Sequence, residues 1–159
     1  MKVQLRVHIE TTRLHLSPTS DGHFHIIDRH SRRPLGRIAL RSSRHSHARG
    51  LELTYSVAAT HRRRGFCREA AEALVDHAFG KGLTSRIYAS TAWSNVASRR
   101  VLAGLGMRQL DIAMLDWESL AGDVDPHESD LTPYARVEYE MLHWDWQERR
   151  PDARQRLIS

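Results

Sequence analysis

The sequence predicts a single α/β domain, and three observations carry that reading. Apolar and polar residues alternate in short runs through residues 3–57, the period of half-buried strands. From Gly65 onward the spacing lengthens to three and four, the signature of an amphipathic helix. A length of 159 residues, 40% hydrophobic and 27% charged, suits one core of ordinary size.

Each element follows from its local pattern. Val3, Leu5, Val7 and Ile9 alternate with polar neighbours, and Leu14 and Leu16 continue the alternation after Thr11-Thr12. Residues 17–22, rich in Ser, Pro and Gly, predict a turn. Residues 24–29 and 35–41 predict two strands, joined by a hairpin loop over 30–34. Residues 41–50 are polar without periodicity and predict an exposed loop, and 51–57 alternate again as a strand. Cys67, Ala70, Leu74 and Ala78 then mark one face of a helix that Gly80-Lys81-Gly82 ends.

A short strand is expected over 87–90 and a second helix from Asn95. Ala97, Val101, Leu102 and Leu105 form that helix's apolar face, and Gly104 and Gly106 offer its stop. Residues 107–117 predict a strand, and 116–130, with six acidic side chains, Gly122 and Pro126, a loop. Residues 135–146 predict a last strand. No repeat or linker divides the chain, so the domain is expected to span 1–150, with a charged tail over 151–159.

Composition excludes several classes. One cysteine, Cys67, leaves no internal disulfide framework and no multi-cysteine zinc site. No apolar run approaches the roughly 20 residues of a membrane span. The alternation in the first residues is also unlike a signal peptide, so a cytoplasmic protein is expected. The His-x-His pairs His23/His25 and His45/His47 have no cysteine or carboxylate at ligand spacing, and no metal site is predicted.

Charge is unevenly placed. Residues 1–68 hold 14 Lys/Arg against 4 Asp/Glu, whereas 69–159 hold 10 against 15. A basic first half points to an anionic partner. Aromatics are not interleaved with the arginines, so base stacking on a single strand is not expected and a phosphate-bearing small molecule is preferred. The site for it is the stretch from Val57 to Ala70. A strand feeds a turn holding Arg62, Arg63, Arg64 and Gly65, and a helix opens at Phe66 and Cys67. The first N–H groups of a helix lack internal partners and carry partial positive charge, so such a turn can cradle a pyrophosphate.

These residues resemble a known family. Arg62-Arg63-Arg64-Gly65-Phe66-Cys67 is similar to the acyl-CoA turn of the GNAT acetyltransferases, Arg/Gln-x-x-Gly-x-Gly/Ala, with Cys67 in the last small position. The branch of the ribosomal-protein N-terminal acetyltransferases RimJ and RimL, which often carries glycine where Arg63 stands, fits the rest. Glu10-Thr11-Thr12-Arg13-Leu14-His15-Leu16 resembles its opening strand, and Leu51-Glu52-Leu53-Thr54-Tyr55 its Glu-Leu-Gly-Tyr strand. Asn95-Val96-Ala97-Ser98, with Leu105-Gly106-Met107 after it, resembles its Asn-x-x-Ser helix and closing turn. Tyr139-Glu140-Met141-Leu142 resembles its final strand.

The resemblance implies a mixed, mostly antiparallel sheet flanked by helices, acetyl-CoA as cofactor, and acetyl transfer to a primary amine. The acceptor would be a protein N-terminus or a small-molecule amine. It implies that Val57 and its neighbours offer backbone N–H groups to the oxyanion, and that 62–67 and Asn95 hold the CoA. Ser98 becomes the candidate general acid toward the leaving thiolate, with Tyr55 and Tyr88 as alternatives. Glu52 or Asp111 would be the general base. Helix capping is the ordinary structural role for Asn95 and Ser98, and a solvated carboxylate for Glu52 and Asp111.

Only residues 17–23 separate Leu16 from Phe24, where the branch places two helices. The expected consequence is an open acceptor side and an apolar face that a homodimer would cover. Nucleic acid is not expected as a partner. The alternative to an enzyme is a non-catalytic CoA-binding or ribosome-associated module of the same fold.

Overall fold

Alternation becomes sheet over most of the first half. The computed structural model describes residues 5–42, 50–113 and 135–150. Strands β1 (Ile9–Glu10), β2 (Leu14–Pro18), β3 (Phe24–Asp28), β4 (Pro34–Arg41) and β5 (Leu51–Val57) form an antiparallel meander. A 3-10 turn (Ala59–His61) leads to α1 (Phe66–Gly80), then β6 (Arg86–Ala92), α2 (Val96–Leu105), β7 (Arg108–Ala113), β8 (Arg136–Leu142) and α3 (His143–Arg149). The sheet order is β1-β2-β3-β4-β5-β6-β8-β7, and only β5 and β6 pair in parallel. This is the mixed, mostly antiparallel sheet flanked by helices that the family resemblance implied.

The alternating positions decide which face is covered. Leu14, Leu16, Phe24, Ile26, Ile38, Leu40 and Leu53 are buried on one face, under Ala70, Ala71, Leu74, Ala78 and Phe79 of α1. Alanines on the helix's inner side let its backbone lie close to the sheet. The opposite face presents His25, Arg37 and Ser56 in register across β3, β4 and β5, with Thr54 beside them, and Ser90 opposite Glu138 across β6 and β8. The expected uncovered apolar face is therefore a largely polar one among the described residues. Burial of apolar surface gives no reason for a homodimer there.

Helix ends follow their chemistry. Gly82 at φ 64° closes α1, with its N–H donating to the Phe79 carbonyl at 3.0 Å. Asn95 caps α2 through its side-chain oxygen, which accepts from the Ser98 N–H at 3.1 Å, and Gly106 at φ 90° ends that helix.

Three expectations need correction. Residues 143–146 are helix rather than strand, because the Asp145 carboxylate accepts the Leu142 N–H at 3.0 Å and opens a turn. Trp146 then folds onto α1, its Nε1 donating to Asp76 at 2.7 Å, while Trp144 stays exposed. Of the alternation over 3–9, the described residues 5–9 yield strand only from Ile9, where a two-residue ladder pairs with β2. Ala97, placed on the inner face of α2, is exposed, and Leu102 alone is fully buried there. The loop expected over 41–50, the His45/His47 pair, the acidic loop over 116–130 and the tail lie wholly or mostly outside the described residues.

Candidate active site

The site begins where two strands part. The parallel ladder between β5 and β6 holds only Leu51↔Ile87 and Glu52↔Tyr88, although β5 runs on to Val57 and β6 to Ala92. Beyond Glu52 the backbone groups of β5 on that side lack ladder partners and are free for side chains, water or a ligand. The 58–65 turn, the N-terminus of α1 and the first turn of α2 gather around this break.

The turn is held by contacts far apart in sequence. Arg62 Nε donates to the Val57 carbonyl at 3.1 Å, pinning the turn to the end of β5. Glu69, in the first turn of α1, accepts from Thr11 Oγ1 at 2.5 Å, Arg13 N at 2.9 Å and Arg13 Nε at 2.6 Å. Arg13 Nη1 also donates to the Arg64 carbonyl at 2.9 Å. Arg13 and Arg64 place their guanidinium carbons 4.6 and 4.8 Å from the centre of the buried Phe66 ring. The Phe66 ring is thus an anchor for the arginines, which leaves its backbone N–H facing the turn's open side.

Backbone conformation shapes the donors. Gly65 adopts φ 77° ahead of the helix, and Arg63 adopts φ 62°, where a side chain is costly. That conformation accounts for the glycine that related turns often carry at this position. A left-handed residue followed by a helical one turns successive N–H groups to one side, an anion-binding nest. The first backbone bond of α1 is Glu69 N to the Gly65 carbonyl at 3.0 Å. The N–H groups of Phe66, Cys67 and Arg68 therefore have no intrahelical acceptor. Free donors, a tight glycine and surrounding arginines fit the pyrophosphate of acetyl-CoA.

Cys67 is a structural thiol. A helix N-terminus beside arginines lowers a thiol pKa, yet burial dominates and pushes this one up to about 12. It stays a neutral, half-buried thiol that packs against the core.

Ser98 meets a partner that local spacing could not reveal. Its Oγ lies 2.9 Å from the Tyr55 hydroxyl, which is also 3.3 Å from the Ser98 carbonyl oxygen. Burial pushes the Tyr55 pKa up to about 12, so the phenol remains a donor at neutral pH. Asn95 spends its side-chain oxygen on capping α2, the ordinary role named for it. Glu52 stands in register with Tyr88 and Arg41, on the face opposite Tyr55. Asp111 lies on edge strand β7, where the ladder to β8 is irregular between Gln109 and Ile112. It is three strand positions from β5, roughly 14 Å at ordinary strand spacing. The fold therefore brings Ser98 to Tyr55 and sets Glu52 on the other face of β5. Among the described residues no three metal-binding side chains converge.

Sequence reasoning missed the roles of Arg13, Glu69 and Thr11. Their contact spans 56 to 58 residues, and only the long-range packing of β2 on α1 creates it.

Comparison with known proteins agrees with this geometry. The family described as "Acetyltransferase (GNAT) domain" matches residues 4–108, and the chain belongs to the GNAT acetyltransferase family. Among solved structures, a GNAT-family acetyltransferase of Bacillus anthracis aligns with a TM-score of 0.64 at 17% identity, covering 87% of this chain and 99% of that one. The ribosomal-protein-S5-alanine acetyltransferase of Vibrio fischeri aligns at 0.56 and 18% identity, covering 78% and 62%. The spermidine/spermine N-acetyltransferase SpeG of Vibrio cholerae, solved with manganese ions, aligns at 0.58 and 18%, covering 80% and 68%. At these identities the structural neighbours speak for the fold. No curated protein matches the chain significantly.

Proposed function

We propose that the chain is an acetyl-CoA-dependent N-acetyltransferase, of the RimJ/RimL-like branch, that acetylates a primary amine by direct attack on the thioester. The observation that carries this reading is the Tyr55–Ser98 pair, set where β5 and β6 part and next to the arginine turn. Acetyl-CoA supplies an activated acetyl thioester. The 62–67 turn would hold its phosphates through the N–H groups of α1 and the arginines, with Val57 and its neighbours offering backbone donors from the unpaired side of β5. Asn95 acts here chiefly by capping α2 and so fixing Ser98.

Ser98 is the proposed acid, with its hydroxyl positioned by Tyr55. Glu52 or Asp111 is the proposed base, and Glu52, at the last ladder pair before the strands part, would act through water. A protein N-terminus is the preferred acceptor. An α-amine with pKa near ~8 reaches its neutral form more readily than a lysine near ~10.4.

The rest of the proposal concerns organisation. One domain over 1–150 carries the activity, with 151–159 as a charged tail, in the cytoplasm. No described helix is long and apolar enough to cross a membrane. A homodimer enters for a reason other than apolar burial: β2 and β3 are joined by a short turn, where the branch has two helices walling the acceptor. A second copy would complete that wall, and light scattering after size exclusion reports it.

The test compares wild type with Ser98→Ala in an acetylation assay on peptides and small amines. Wild-type turnover and a loss of at least ~100-fold in kcat, with acetyl-CoA binding retained, is expected. Binding of CoA without turnover on any amine would leave the non-catalytic module.

A further inference from the structure

Among the described residues two that are not glycine hold left-handed backbone, and both are arginines. Arg32 has φ 61° and Arg63 φ 62°. Glycine would relieve the strain at either position, yet each carries a cation. The two are far apart in sequence but lie at one end of the sheet. Arg32 sits in the loop from β3 to β4, and the start of β4 pairs with the end of β5. Gly36 faces Val57, and Ala58 N donates to the Leu35 carbonyl at 2.9 Å. Arg13 joins the same end, since its carbonyl accepts from Arg29 N at 2.9 Å and its guanidinium reaches Arg64.

This end therefore collects Arg13, Arg29, Arg32, Arg33 and the arginine run 62–64. Its carboxylates are already engaged. Glu69 takes Thr11 and Arg13, Glu10 lies 3.7 Å from Arg29, and Asp28 accepts the backbone N–H groups of His30 and Ser31 at 2.8 and 3.1 Å. That Asp28 turn also stiffens the hairpin that displays Arg32 and Arg33. Both are exposed and have no ion pair among the described residues.

We propose that this arginine ridge binds the phosphate backbone of a nucleic acid, without regard to base sequence, beside the acyl-donor turn. Arginine forks match phosphate oxygens, and a backbone contact needs no stacking aromatics; the Phe66 ring beneath the ridge is buried. A protein partner fits less well, because stable protein interfaces need aromatic or apolar anchors. The exposed large apolar side chains of the described chain are Val96 and Trp144, on α2 and α3 rather than here. The inference does not depend on acetyl transfer.

The test measures binding of the full chain to a labelled mixed-sequence RNA and to DNA of equal length across a salt series. Single-strand affinity falls with salt at a slope of about −0.7 per phosphate contacted. Arg32→Glu/Arg33→Glu should weaken binding at least tenfold and flatten the slope by about 1 to 1.5, while leaving the acetyl-CoA thermal shift intact. Arg32→Gly, which removes the charge and relieves the backbone, should weaken binding without lowering Tm. Equal affinity for the RNA and the DNA is expected. No binding at low salt, unchanged binding in both variants, a clear base preference, or equal binding of poly-glutamate would each overturn the proposal.

Discussion

The Tyr55 hydroxyl lies 2.9 Å from Ser98 Oγ and joins the middle of β5 to the first turn of α2. Held protonated by burial, the phenol has one proton to donate and can fix the serine rotamer. Tyr55→Phe keeps the ring and removes that contact. Its expected effect is a roughly tenfold or greater fall in kcat, little change in acetyl-CoA affinity, and about 1 kcal/mol of lost stability. Steady-state kinetics with an urea titration checks all three. A Tyr55→Phe enzyme with full kcat would remove the positioning role.

The Arg13–Glu69 contact should govern donor binding more than stability. Both side chains are substantially exposed in part, 45% and 20%, so the pair itself contributes at most about 1 kcal/mol. Glu69→Gln loosens Thr11, Arg13 and the turn behind Arg64 together. A five- to fiftyfold rise in KM for acetyl-CoA, with kcat changed less, is the expected split.

Acid should act through the same carboxylate. Burial opposes ionisation of Glu69, but the hydrogen bonds from Thr11 and Arg13 outweigh it and hold the carboxyl below its ordinary 4.5. A depressed folded value stabilises above the unfolded pKa and is lost as pH falls through the folded one. Acetyl-CoA affinity should thus hold at neutral pH and drop below about pH 4.5, and Glu69→Gln should flatten that drop. Binding titrations at several pH values decide it.

Alkali should act through Tyr55 and Cys67. Their ordinary values of 10.0 and 9.0 are each pushed up to about 12 by burial. The unfolded chain ionises first, so stability is flat below pH 9 and falls as pH rises from there toward 12. At pH 8 Cys67 should alkylate far more slowly than a free thiol, and speed up on unfolding. Rapid labelling of the native protein would contradict the burial account.

Helix α3 should act as a clamp on the core. Trp146 is buried against Phe79, with ring centres 5.7 Å apart, and bonds Asp76. Trp146→Ala should cost about 3–5 kcal/mol, whereas Trp144→Ala, at an exposed ring, should cost little. Thermal unfolding of the two variants separates them.

Much of this was legible where the signal is local. The strand over 51–57, the Gly80–Gly82 stop and the Asn95 cap depend on periodicity and on turn and cap chemistry within a few residues. The strand expected over 143–146 failed because His-Trp-Asp-Trp alternates in polarity yet is recruited by an Asp145 cap and the packing of Trp146. The turn over 62–65 could be found from its arginines and glycine, but its fastening could not. Arg13, Thr11 and Glu69 meet only after β2 has docked on α1. The same holds for Tyr55 and Ser98, which are 43 residues apart.

The measurement that tests the central claim most directly is thermal unfolding with acetyl-CoA and with free CoA, in wild type and Glu69→Gln. A ligand at ~100 times its Kd adds about 2.7 kcal/mol, a rise of several degrees in Tm. The account predicts such a rise for both ligands in wild type and a smaller one in the variant. No shift at millimolar acetyl-CoA would contradict it.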